Sequence, residues 1–139
     1  MAILSSCVVR TTHAPSAVFS RWADPESWPE WDPEVRRVSF EGPVQVGARG
    51  RLRPRSGPGT SFSVTAVERD REFTNASPMP GAMLTFEHLV SPAADGAEVA
   101  VTVRLDGPLA PLWARLVGRG MSDAARSSVS GLLAHLDAA

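Results

Sequence analysis

Apolar and polar residues alternate most cleanly near the end of the chain, where Val99, Val101, Val103 and Leu105 are interleaved with Ala100, Thr102 and Arg104. A period of two belongs to a strand with one buried face, so an antiparallel strand is predicted over 98–105. Five more strand-like runs precede it: Val35 to Phe40, Arg49 to Arg55, Phe62 to Glu68, Glu72 to Ala76 and Met83 to Val90. Each ends at a turn signal, among them Glu41-Gly42-Pro43, Ser56-Gly57-Pro58-Gly59 and Ala94-Asp95-Gly96,. Residues 2–12 are rich in β-branched types and read as a first strand,.

Helical spacing occurs in two places. After Pro15, Val18, Phe19 and Trp22 recur at helical intervals, and Asp24-Pro25-Glu26 restarts a helix with Asp as N-cap and Pro at its first position,. Pro33 ends it by pushing Asp32 out of the α region,. Beyond Gly107-Pro108, an apolar face runs from Leu109 through Leu112, Trp113, Leu116, Val117, Met121, Ala124, Val129, Leu132 and Leu133 to Leu136,. One unbroken helix to Asp137 is predicted, about 43 Å long,. The order strand, helix pair, six strands, long helix is an α+β layout. A seven-stranded antiparallel sheet should curve around the C-terminal helix, leaving a deep apolar cavity between them.

Composition narrows the possibilities. The 139 residues, 14.8 kDa, suit one domain over 1–139,. A net charge of −1 provides no global field for nucleic acid or anionic membranes,. The basic residues are all Arg, and Tyr is absent. The single cysteine, Cys7, excludes an internal disulfide and a cysteine-based zinc cage, and suits a reducing compartment,. LSSC at 4–7 resembles a lipoprotein cleavage box, but no suitable apolar run precedes it,. The longest uncharged stretch, Phe73 to Phe86, is too short to span a bilayer and is broken by Pro78 and Pro80,. The expectation is a cytoplasmic monomer or homodimer with no cofactor, no metal, no nucleic-acid partner and no integral membrane association.

The segments HAPSAVFSRWADPESWPEWDPEVRRV (13–38), VGARGRLR (46–53), LTFEHLVSPAADGAEVAVTVRLDGPLAPL (84–112) and the terminal helix together resemble the START-like helix-grip superfamily (SRPBCC), in its polyketide cyclase/dehydrase-type branch. The resemblance covers essentially the whole chain. It implies a cavity for a hydrophobic guest, since relatives bind lipids, sterols, polyketides or plant hormones, and a minority catalyse cyclisation, aromatisation or dehydration.

Within that frame Trp28, Met79, Met83, Phe86, His88, Trp113, Val117 and Met121 are the candidate ligand contacts. Trp28 and Trp31 share a helix face, Trp31 as an anchor on the sheet and Trp28 nearer the cavity mouth. Trp113, Val117 and Met121 face the sheet as core, a face that also lines the pocket in this fold. His88 is in register with Leu84, Phe86 and Val90. It is either a satisfied core histidine or a proton-transfer group in the pocket. Arg49, Arg51, Arg53 and Arg55 alternate and leave one strand face,. They form either a solvated outer surface or a cavity rim where one or two bind a carboxylate or phenolate.

Two functions follow. One is binding of a lipid- or polyketide-like hydrophobic molecule, oriented by His88 and Arg51 or Arg53. The other is a polyketide cyclase or dehydratase in which catalytic His88 moves a proton while Arg51 or Arg53 holds an enolate oxygen. Tyrosine, which some aromatising relatives use beside Arg, is missing, and no GxSxG, HExxH, P-loop or Rossmann pattern is present,.

Overall fold

The computed structural model describes residues 1–138. The chain runs through β1 (Ala2–Thr11), α1 (Pro15–Trp22), a 3-10 turn (Pro25–Ser27), α2 (Trp28–Trp31), β2 (Val35–Phe40), β3 (Arg49–Pro54) and β4 (Thr60–Glu68). It continues through β5 (Glu72–Met79), β6 (Ala82–Ala93), β7 (Gly96–Asp106), α3 (Ala110–Val117) and α4 (Ala124–Ala138). The seven strands pair antiparallel in the order β1-β7-β6-β5-β4-β3-β2, and the helices cover one face.

Register fixes the two faces. On β7 the inward set is Ala97, Val99, Val101, Val103 and Leu105, all buried, as the alternation predicted. Their partners on β6 include Leu84, Phe86, His88 and Val90, and the next rank on β5 is Phe73, Asn75 and Ser77. Beyond these, Val64 and Phe62 face inward on β4, Gly50 and Leu52 on β3, and Val38 and Phe40 on β2. The outer face carries Arg104, whose guanidinium reaches Glu87 at 3.4 Å and Asp106 at 3.2 Å.

The C-terminal segment is two helices, not the single rod expected. Residues 118–123 form turns between α3 and α4. Gly118 and Gly120 sit in this break, where helix propensity is low,. The start of α4 is held by a residue far away in sequence. The Ser5 hydroxyl donates to the Ser122 carbonyl and accepts from the Ala125 N–H, each at 3.0 Å. That satisfies one otherwise unpaired donor of the first helical turn. Breaking the rod also rotates its apolar face. Leu109, Leu112 and Leu116, predicted as core, are 43%, 52% and 67% exposed. At Asp24, the predicted side-chain cap makes no hydrogen bond to the helix.

At the other end, α4 crosses α2 closely enough that only glycine fits. A β-carbon built on Gly131 would fall well inside van der Waals contact with the Trp31 carbonyl oxygen. On the sheet, Gly50 plays a similar part, since a β-carbon there would sit 2.5 Å from the Phe62 ring. Phe62 therefore lies flat over β3.

Candidate functional site

The concave face divides into a filled end and a half-buried end. Under α1 and α2 the space is occupied by a continuous series of rings. Phe40 stacks on Phe62 (6.1 Å between centroids), Phe62 on Trp28 (5.3 Å), and Trp28 meets Phe73 edge-on (5.8 Å). Phe73 is followed by His88 (6.3 Å) and His88 by Trp22 (5.2 Å). Such offset and edge contacts add to the energy of burying the rings. The Trp28 indole N–H also donates to the Trp22 carbonyl at 3.1 Å, and Trp31 donates to the Ser27 hydroxyl at 3.4 Å. Trp28 thus lies in the core beside Trp31, away from any mouth.

The half-buried end lies toward the β5–β6 hairpin and α3. Met79, Leu84 and Phe86 face inward there and are partly exposed. Trp113, Val117 and Met121 are likewise half-buried. The Trp113 indole N–H donates to the Pro80 carbonyl at 2.7 Å, tying α3 to the hairpin. Met83 is not part of this surface. It is an odd number of residues from His88 and so belongs to the opposite sheet face, 41% exposed,.

The same parity separates the arginines from the histidine. Gly50 and Leu52 face inward, so Arg49, Arg51 and Arg53 project from the outer face, all exposed. The chamber in which His88 and Arg51 or Arg53 would act together does not form. The two best-formed hollows among the described residues are shallow and lie on the surface. One is near Thr11, Thr12 and Asp95, and the other is on the outer face of β2 and β3. Neither lies between the sheet and α4, where a deep void was expected. The rings already described fill the space under α1 and α2, while α4 packs on β1 and β7.

Polar side chains also lie within this apolar interior. The His88 Nδ1–H donates to the Phe73 carbonyl at 2.8 Å, which leaves Nε2 as the lone-pair nitrogen of the neutral ring,. Burial pushes the imidazole down to about 4, only partly opposed by that carbonyl, so the ring is uncharged at neutral pH,. Next to it, the Trp22 Nε1 donor and the Asn75 Oδ1 acceptor are buried with no hydrogen-bond partner among the described residues. Asn75 stands opposite Phe86 on β6, one diagonal step from His88, where the filled end meets the half-buried end,. Neither Trp22 nor Asn75 is singled out by the sequence. An Asn in phase with Phe73 on an inward strand face is the available signal, and it depends on knowing the register.

A second titratable group, the half-buried Asp32, lies where α2 meets α4. Burial pushes its carboxyl up to about 6. The Glu34 N–H, which donates to its Oδ1 at 3.0 Å, and the Ser128 hydroxyl nearby oppose this, while the charge of Glu34 adds to it. The two groups act on stability with opposite sign. His88 binds a proton less readily folded than unfolded, so stability falls as pH drops from 6.5 towards 4,. Asp32 binds one more readily folded, so stability is regained as pH drops from about 6 towards 3.8,. The two contributions therefore oppose each other across this window. Asp32→Asn is expected to raise stability at neutral pH by about 1 kcal/mol and to expose the acid-side loss due to His88. Urea denaturation at a series of pH values checks this. A variant profile parallel to wild type would remove the assignment.

A curved antiparallel sheet gripping a C-terminal helix, with two short helices after its first strand, defines the helix-grip class of proteins. Within it, the chain belongs to the polyketide cyclase / dehydrase and lipid transport family, whose sequence model matches residues 8–138. Among similar solved structures, Ara h 8.0201 shares 13% identity at a TM-score of 0.74, over 96% of this chain and 97% of that one. TTHA0849 from Thermus thermophilus shares 16% at 0.76, over 96% and 97%. The di-domain ARO/CYC StfQ from the steffimycin biosynthetic pathway shares 12% at 0.75, over 96% of this chain and 50% of that one. At these identities the likeness is one of fold. A comparison with curated proteins found no match. No helix among the described residues is long and apolar enough to cross a membrane.

Proposed function

We propose that the protein binds a lipid- or polyketide-like hydrophobic molecule carrying a hydroxyl group, at the half-buried end of the concave face. The observation that carries this reading is the pair of buried atoms without a partner among the described residues, Trp22 Nε1 and Asn75 Oδ1. Leaving such a group unsatisfied costs about 1–3 kcal/mol, and native interiors seldom do so without a reason. A hydroxyl can accept from the Trp22 N–H or donate to the Asn75 Oδ1, while Met79, Leu84, Phe86 and Met121 supply apolar surface,. Entry requires α3 to swing away from the hairpin, breaking the bond from Trp113 to Pro80. The cyclase reading is less well supported, because it needs a cation near His88 and the candidate arginines leave the other sheet face.

The test uses naphthol and methylnaphthalene as probes, followed by quenching of tryptophan fluorescence. Naphthol is expected to bind about tenfold more tightly, the equivalent of about 1.4 kcal/mol. Asn75→Leu should abolish the preference while stabilising the free protein. Binding of neither probe would defeat the reading, and a preference surviving in Asn75→Leu would defeat its polar part.

A further inference from the structure

The outer face of β2 and β3 carries a concentration of positive charge that the interior site does not use. Arg37 and Arg53 are directly opposite each other across the two strands, and Arg51 stands between Ser39 on β2 and Ser61 on β4. Arg37, Ser39, Arg51, Arg53 and Gly59 line a shallow hollow of about 200 Å³, with the backbone of β3 at Leu52 beneath. Among the described residues, no carboxylate lies within 4.0 Å of any of these three guanidinium groups. Like charges directly opposite on a sheet destabilise it. A different arrangement holds on the outer face of β6 and β7, where Arg104 is paired with both Glu87 and Asp106. The unpaired cluster is therefore a local choice within a chain whose net charge is −1.

We propose that this hollow binds a phosphate-bearing dianion. Three guanidinium forks and the Ser39 hydroxyl offer more donors than the two oxygens of a carboxylate can use, and they match the several oxygens of a phosphate. The bound anion also removes the repulsion between Arg37 and Arg53. The hollow is open and shallow, so it takes the phosphate end of a ligand and leaves the remainder in solvent or in a membrane. A soluble phosphorylated compound and a phospholipid headgroup share this chemistry. The site lies on the opposite sheet face from the interior polar atoms, and its test is independent of the proposed function.

The probe is pyrophosphate, compared with sodium chloride at matched ionic strength in thermal unfolding and amide NMR. Pyrophosphate should raise the melting temperature beyond the salt control and shift the amides of Ser39, Arg51 and Gly59. Arg53→Thr should melt higher than wild type without anion, and its affinity for pyrophosphate should fall at least about tenfold. Arg126→Gln, an exposed change on α4, should respond as wild type does. Vesicles of phosphatidylcholine with and without phosphatidic acid separate the two sources. Sedimentation with phosphatidic acid that Arg53→Thr abolishes identifies a headgroup, and response to pyrophosphate alone identifies a soluble ligand. The proposal is overturned if pyrophosphate acts no differently from chloride and phosphatidic acid draws no protein down. It is equally overturned if Arg53→Thr keeps the full response.

Discussion

Replacing Gly131 by alanine is expected to destabilise the protein by about 3 kcal/mol, although the same change in an open helix is stabilising. The cause is the crossing of α4 over α2. The new methyl group would overlap the Trp31 carbonyl oxygen and meet Pro33 at 3.1 Å. The first contact is with backbone, so no rotamer relieves it. Either α4 moves off or the turn at Asp32 shifts, and both disturb the buried Ser128, Val129 and Leu132. Urea denaturation gives the measurement. A midpoint at or above that of wild type would show that the helices do not approach as described.

Truncating Trp28 to alanine should cost about 4 kcal/mol, in the range found for large aromatic side chains removed from cores. Trp28 is an inner ring of the series, in contact with Phe62 on one side and Phe73 on the other. It also supplies the donor for the Trp22 carbonyl. Trp28→Phe keeps most of the ring contact and loses the donor, so it should cost about 1–2 kcal/mol. The ratio between the two variants separates packing from hydrogen bonding. A loss below about 1 kcal/mol for the alanine variant would mean that the ring series is not a cohesive unit.

Much of this architecture is written in short-range pattern. The alternation from Val99 to Leu105 gave both the strand and its buried face, because one-sided burial leaves a period of two,. The turns at Gly42 and Gly96 marked strand ends for the same local reason. The break in the C-terminal helix was less accessible. Its glycines were visible, but the hydroxyl that starts α4 belongs to Ser5, on the first strand. The faces of Arg51 and Met83 are a different matter. Gly50 and Leu52 are the residues between the arginines, and Met83 and His88 differ in parity, so both assignments follow once the inward residues are known. The filling of the concave face was not legible at all. It depends on Trp28 meeting Phe62 and Phe73, and on His88 meeting Phe73 and Trp22, from separate elements, which no periodicity reports.

The sheet order sets how the chain can assemble. Strands β2 to β7 follow one another as a simple meander, each pairing with its successor. Strand β1, the first in chain order, finds its neighbour in β7, the last strand. Local hairpins can therefore form early, while the opening strand and its two helices must wait for most of the chain before docking across the sheet. Closing that long loop carries the largest entropic cost in the topology, so the pairing of β1 with β7 is expected to form late and to complete the grip on the sheet,.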